Sequence, residues 1–321
     1  MGLFRGLFKS GLVIGGIAAA AYAAEKLLVM QLGENPDQEP GWHPETPSGE
    51  LTTVTTSDGT VIRVISAGSG RPVVLVHGLL VSLEVYAPVW DELIDAGHRV
   101  VGIDLRGHGG TNVGSDGHGL DLAGDDIASV LTELDLRDAI VVGHSMGGMA
   151  ALSFAVRHPD VAAERVGGLV IANSAAGGLF DPPQNKAQLA AVKAGIAGAL
   201  INHDVHGTVL ARLYFGPQPS LSHVKALNVM HASQPPETII EATKALESYD
   251  IEDRLGEVTI PTLVVTSDKD GILPVAYSQR IADGISGARL EVLEGVGHMT
   301  HWEAPQAFVG LVTEFAAQTA Q

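Results

Sequence analysis

Ser145 stands between glycines in Gly143-His144-Ser145-Met146-Gly147, and far downstream come Ser267-Asp268-Lys269-Asp270 and Gly295-Val296-Gly297-His298. A serine hydroxyl is a poor nucleophile until a base within hydrogen-bond reach takes its proton. A histidine can supply that base, and a carboxylate at its other ring nitrogen fixes the tautomer and stabilises the imidazolium. Serine, acid and histidine in this chain order are equipped to attack a carbonyl through a covalent acyl-serine. The candidates are Ser145 as nucleophile, Asp270 as acid and His298 as base. Asp268 remains an alternative acid, because spacing alone does not choose between neighbouring carboxylates. His301 is the alternative base, but the Gly-x-Gly before His298 frees the backbone to aim that ring inward. The oxyanion needs two donors, assigned to the backbone N–H groups of Leu79 and Met146; each such donor is worth about 3–4 kcal/mol. His77 reads as a brace for the Leu79 loop, and His144 as packing under the serine turn. His203 and His206 share a helix but lack the third ligand of helical zinc sites. No metal or cofactor is expected.

These residues need elements that bring them to one edge. Ile140-Val141-Val142 is a short β-branched run that reads as a buried strand, and Met149, Leu152, Phe154 and Ala155 after it follow helical spacing. The serine therefore sits on a sharp strand-to-helix turn, where a Cβ at either glycine would clash. Further strands are expected at Thr52–Thr56 and Val61–Ile65, joined by an Asp58-Gly59 turn, and at Pro72–Val76, Arg99–Ile103, Val166–Ala172, Thr262–Thr266 and Arg289–Leu293. Helices are expected at Leu83–Ala96, Asp121–Leu134 and about Pro305–Ala317. Alternating strands and helices imply a mostly parallel sheet covered on both faces, with its active loops on one edge.

The alternation stops after Ala172. From Ala175 to Glu257 the periodicity is helical throughout, as in Gln188–Leu200, Ile201–Leu213, Ser220–His231 and Glu237–Tyr249. An insertion that long is a helical cap rather than a connection. The domain layout is an apolar segment 1–32, a Pro-rich linker 33–50, core residues 51–174, the cap 175–257, and core residues 258–321. Leu179, Phe180, Leu213 and Phe215 are the expected substrate-binding residues of the cap.

The first 32 residues carry Arg5 and Lys9, then fourteen uncharged residues from Gly11 to Ala24. Fourteen falls short of the roughly 20 needed to span a bilayer. A membrane anchor, a cleaved export signal with Ala21-Tyr22-Ala23 at its end, and a helix docked on the protein all fit this pattern. Membrane-associated or exported placement follows from the first two, cytoplasmic placement from the third.

The chain has 321 residues, 45% of them apolar and only 5% aromatic, so its core should be aliphatic. It has no cysteine, which excludes disulfides and thiolate metal sites. With 37 acidic against 19 basic residues the net charge is −18, a surface that repels nucleic acid.

Taken together, His77-Gly78, Asp104-x-Arg106-Gly107-x-Gly109, Gly143-His144-Ser145-Met146-Gly147-Gly148, Ser267-x-x-Asp270, and Gly297-His298 with Glu303-x-Pro305 resemble the α/β-hydrolase family, in its capped serine-esterase and lipase-like branch. Ser267 and Thr111 depart from the family's usual Gly and Ser. The resemblance implies a serine hydrolase acting on a small-molecule carboxylic ester, with an apolar acyl or alcohol group. Dehalogenases and epoxide hydrolases of this fold carry Asp at the turn, where this chain has Ser145. Perhydrolysis, thioester hydrolysis, C–C cleavage or ligand binding on the same fold are the alternatives.

Overall fold

A computed structural model of the protein describes residues 22–34, 40–181 and 183–320. Eight strands form one sheet in the order β1-β2-β4-β3-β5-β6-β7-β8. These are β1 (Glu50–Thr55), β2 (Val61–Gly68), β3 (Arg71–Val76), β4 (His98–Ile103), β5 (Ala139–His144), β6 (Val166–Ala172), β7 (Thr262–Ser267) and β8 (Arg289–Leu293). The β1–β2 hairpin is antiparallel, β2 pairs antiparallel with β4, and all remaining pairs are parallel. Every residue of β5, β6 and β7 is buried, as their unbroken apolar runs require of strands covered on both faces. Alternate side chains feed two cores: Val74, Val76 and Val141 pack on one face, and Val73, Leu75, Ile140 and Val142 on the other.

The helices differ from expectation where proline or glycine intervenes. After helix α1, residues 22–32, the stretch expected as one helix from Leu83 opens as a 3-10 turn, Leu83–Tyr86, and becomes helix α2 only at Ala87–Asp95. Pro88 cannot donate to an α-helical ladder, so the regular helix starts there. Helix α3 (Leu120–Glu133) precedes β5, and α4 (Met146–Arg157) follows it. Helix α5 (Pro159–Arg165), unforeseen, starts at another proline.

Between β6 and β7 the described residues form helices α6 (Pro183–Lys193), α7 (Ile196–Ile201), α8 (Asp204–Arg212), α9 (Leu221–Ser233) and α10 (Pro236–Ser248), then a 3-10 turn. The expected Gln188–Leu200 helix is in fact two pieces. Gly195 lies between them with φ +73, a left-handed conformation that ends one helix and redirects the next. After β7 come α11 (Val275–Gly284), α12 (Thr300–Glu303) and α13 (Pro305–Gln318).

Among the described residues no helix is long and apolar enough to cross a membrane. Residues 1–21, which hold most of the apolar run, lie outside the described residues. Residues 22–32 are helical and dock on the insertion. Glu25 pairs with His206 at 2.5 Å, the Tyr22 ring meets those of His203 and His206, and Leu32 is buried. His203 and His206 are thus engaged in packing, and no group of three or more potential ligands for a metal occurs among the described residues.

The Asp104–Gly109 loop is fixed by buried charge. The Asp104 carboxylate accepts from Leu83 N–H and Gly110 N–H, both at 2.7 Å, and pairs with Arg63 at 3.0 Å. Thr111 donates its hydroxyl proton to the Asp104 carbonyl, so the departure from serine keeps a useful hydroxyl. Arg106 makes two parallel bonds to Asp126, at 2.7 and 2.8 Å, and reaches Asp58 at 3.1 Å. Removing one partner of such a group leaves buried charge uncompensated. Arg106→Leu is therefore expected to lower unfolding free energy by about 3–5 kcal/mol, read from the urea midpoint. A change under about 1 kcal/mol, the range of surface pairs, would show that the group is not load-carrying in the fold.

Candidate active site

The parallel strands deliver five loops to one edge: Leu79 follows β3, Ser145 follows β5, Asn173 follows β6, Asp270 follows β7 and His298 follows β8. Ser145 itself is held at φ 55° and ψ −119°, a region that non-glycine residues seldom occupy. The turn tolerates no bulk around it. A Cβ on Gly147 would collide with the Val76 carbonyl, and one on Gly143 with the Gly147 carbonyl. Hydrogen bonds brace the turn from the β6 side: Ser145 N–H donates to Ala172 O at 2.9 Å, and the Ser174 hydroxyl donates to Ser145 O at 2.7 Å.

Asp270 and His298 come together. His298 Nδ1–H donates to Asp270 Oδ2 at 2.7 Å, with both side chains buried. The same carboxylate accepts from Asn173 Nδ2 at 2.9 Å and from the Ile272 and Leu273 N–H groups at 2.8 Å each. Burial alone would raise the Asp270 pKa, but the His298 charge and these donors outweigh it and hold the carboxyl below its ordinary range. With Nδ1 committed to the acid, Nε2 of His298 is the acceptor nitrogen, and it has no hydrogen-bond partner. Ser145 lines the same cavity as His298, with no direct hydrogen bond between the two.

The alternatives go elsewhere. Asp268 pairs with Lys269 at 2.6 Å near the surface and accepts from Gly295 N–H. His301 is fully buried, its ring beside those of Tyr86, His144 and Phe308. His77 donates from Nδ1 to Gly78 O at 2.7 Å and accepts from Leu105 N–H at 2.9 Å, while burial pushes its pKa down to about 4. His144 Nε2–H donates to His298 O at 2.8 Å, which ties the serine turn to the histidine loop. Burial, then the His298 charge, pushes its pKa down to about 3.

Leu79 and Met146 line the cavity beside Ser145, and Gly78 lies so close that a Cβ there would come 3.1 Å from Ser145 Cβ. Among the described residues neither Leu79 N–H nor Met146 N–H donates to another protein group.

The cavity measures about 290 Å³ and is roofed by the helical insertion. Of the four residues expected to bind substrate, Leu179, Phe180 and Leu213 line the cavity and Phe215 does not. The Phe215 ring is buried in the core against Trp302, at 6.1 Å, because Tyr214 rather than Phe215 faces the cavity at the end of α8.

Several residues escaped sequence reasoning. Asn173 also donates to Ser267 Oγ at 2.9 Å and accepts from the Thr300 hydroxyl, so Ser267 has a hydrogen-bonding use here. The Glu303 carboxylate bridges Gly216 N–H at 2.7 Å and Gly297 N–H at 2.9 Å, while His298 N–H donates to Tyr214 O at 2.7 Å. These bonds stitch the insertion to the histidine loop. Burial outweighs those donors and pushes Glu303 up to about 7. Only Glu303, spaced before Pro305, left a sequence signal.

A family model for the alpha/beta hydrolase fold matches residues 71–305. The chain is 30% identical over 259 residues to the non-heme chloroperoxidase CPO-A1 of Kitasatospora aureofaciens, spanning 76% of this chain and 90% of that one. It is 29% identical over 303 residues to the 2-hydroxy-6-oxononadienedioate/2-hydroxy-6-oxononatrienedioate hydrolase of Cupriavidus pinatubonensis, spanning 84% of this chain and 96% of that one. The solved esterase of Exiguobacterium antarcticum has a TM-score of 0.75 at 24% identity, a likeness of fold covering 84% of this chain and 100% of that one. Since the matched residues run from β3 through the His298 loop, the chain belongs to the alpha/beta hydrolase family, among relatives that include hydrolases and haloperoxidases.

Proposed function

We propose that this protein is a serine hydrolase that cleaves neutral carboxylic esters through an acyl-serine. Ser145 attacks the carbonyl carbon, and His298 Nε2 takes its proton and returns it to the leaving alcohol. Asp270 holds the imidazole and stabilises its charged form. The Leu79 and Met146 N–H groups receive the oxyanion. Water then attacks the acyl-serine by the same route. The observation that carries this reading is the buried Asp270–His298 pair at 2.7 Å, opening on a cavity that also holds the strained Ser145.

The cavity chemistry narrows the substrate. Among the described residues its lining is mostly Leu, Ile, Val, Ala, Met and Phe, and includes no Lys, Arg, Asp or Glu. An anionic acyl group would lie there without a counter-charge, and burying an unpaired carboxylate is costly. The relative from Cupriavidus pinatubonensis acts, by its name, on a dicarboxylate, which this lining does not suit. Likeness to the chloroperoxidase supports a second reading on the same residues, in which peroxide replaces water and releases a peracid.

The test is kcat/KM for p-nitrophenyl butanoate against the p-nitrophenyl monoester of glutarate. The neutral ester should be favoured at least about 100-fold, equivalent to the several kcal/mol of an unpaired buried charge. Equal turnover would refute the neutral-substrate assignment. Folded protein inactive on both would refute the esterase reading. Adding peroxide to the same assay measures the perhydrolytic branch.

A further inference from the structure

One buried side chain in the roof of the cavity is out of keeping with its apolar neighbours. His231 lies on α9, one turn after Leu227, and both residues line the cavity that holds Ser145 and His298. Residues four apart share a helix face, so the face that α9 turns to the cavity carries one leucine and one imidazole. His231 is only 4% exposed, yet its Nε2 has no hydrogen-bond partner. Leaving a buried polar nitrogen unpaired costs free energy that a leucine would not. Of the other polar side chains of the roof, Asn185 donates to Leu179 O at 2.7 Å and Thr243 donates to Ile239 O at 2.6 Å.

Position then says which end of a substrate His231 meets. Its ring lies 5.1 Å from the Tyr214 ring in an edge-on arrangement, and Tyr214 lies 5.5 Å from the His298 ring. On the proposed reading His298 protonates the leaving alcohol, whereas the acyl oxygen points to the Leu79 and Met146 N–H groups. His231 is therefore on the leaving-group side.

Resting on the esterase reading, we propose that His231 is a specificity-determining residue. It hydrogen-bonds a second, neutral oxygen or nitrogen carried by the leaving alcohol, so the preferred substrates are esters of alkoxy, hydroxy or similarly substituted alcohols rather than of plain alkanols. Burial, and after it the His298 charge, pushes the His231 pKa down to about 4, so the ring is neutral near pH 7. A neutral imidazole offers one donor and one acceptor, which suits an ether, hydroxyl or carbonyl and gives no counter-charge to a carboxylate.

The experiment compares kcat/KM for methoxyethyl butanoate and butyl butanoate, two esters of the same shape that differ by one oxygen in the alcohol. The methoxyethyl-to-butyl ratio cancels any loss of folded enzyme. His231→Leu should lower that ratio about three- to tenfold, the range for one neutral hydrogen bond. His231→Gln, which keeps an N–H, should restore it to within about twofold, on the same scale. Ethyl methoxybutanoate and ethyl hexanoate place the same difference in the acyl chain, and their ratio should not move. An unchanged ratio for the alcohol pair in His231→Leu overturns the proposal while leaving the esterase reading intact. A shift confined to the acyl pair overturns it as well. Absence of turnover of all four esters by the wild-type protein overturns both.

Discussion

Replacing Ser145 by alanine should abolish covalent labelling by a fluorophosphonate and lower ester kcat by about 10⁵- to 10⁶-fold, the scale for removal of a catalytic serine. The hydroxyl is the atom that bonds the acyl carbon, and among the described residues nothing else in the cavity lining offers a comparable nucleophile beside His298. Residual turnover would come from the oxyanion donors and binding, which survive loss of the nucleophile. Alanine keeps the Cβ, so the strained φ of 55° persists and the variant should melt at the wild-type temperature. Glycine would relax that strain, and Ser145→Gly should be inactive yet no less stable. His298→Ala should cost nearly as much activity as Ser145→Ala, because residues acting as a unit are not additive. Undiminished labelling of Ser145→Ala would move the nucleophile elsewhere in the chain.

The parts of this molecule legible in its sequence are those governed by local pattern. Val166–Ala172 and Arg289–Leu293 occur with the bounds that their apolar runs suggest, and the other strands differ by only a few residues. Ser145 and His298 were legible because glycines beside them announce tight backbone, and the collisions around Gly143 and Gly147 show why. The insertion was harder to read. Its apolar residues serve three purposes at once: packing among themselves, packing on the sheet, and lining the cavity. Periodicity cannot separate those purposes, so the sequence suggests Phe215 for the cavity although it packs on Trp302. His231 left no signal, since a histidine among Val224, Leu227 and Met230 reads as one polar interruption of an apolar helix. Asn173, an uncharged residue just past β6, carries no local sign of a role. Its bond to Asp270 joins positions 97 residues apart in the chain and depends on β6 lying beside β7.

The choice of acid is the second large effect. Asp270→Asn should lower kcat by about 10⁴-fold, because an amide lets His298 present the wrong tautomer to the serine. Geometry makes that loss specific. Oδ2 accepts from His298 Nδ1 at 2.7 Å, while Oδ1 is occupied by the Ile272 and Leu273 N–H groups. An asparagine can keep its oxygen toward those two N–H groups, and its NH₂ then faces His298 Nδ1 as a donor. The imidazole must accept there, which leaves its proton on Nε2, where the base should be free. The pH dependence follows from the same contacts. The Asp270 pKa is lower folded than unfolded, so its contribution to stability is complete above the unfolded value near about 3.9 and disappears as pH falls through the folded one. Asp270→Asn should flatten that acid-side decline in the melting temperature. Asp268→Asn serves as the comparison: its partner is the exposed Lys269, and solvent screens surface pairs of this kind. Its kcat should stay within about twofold of wild type, since nothing in that pair bears on tautomer selection. A crippled Asp268→Asn beside a mild Asp270→Asn would reverse the assignment. If both were mild, His298 would be oriented without a carboxylate, and Asn173, which reaches the same oxygen at 2.9 Å, would be the next position to replace.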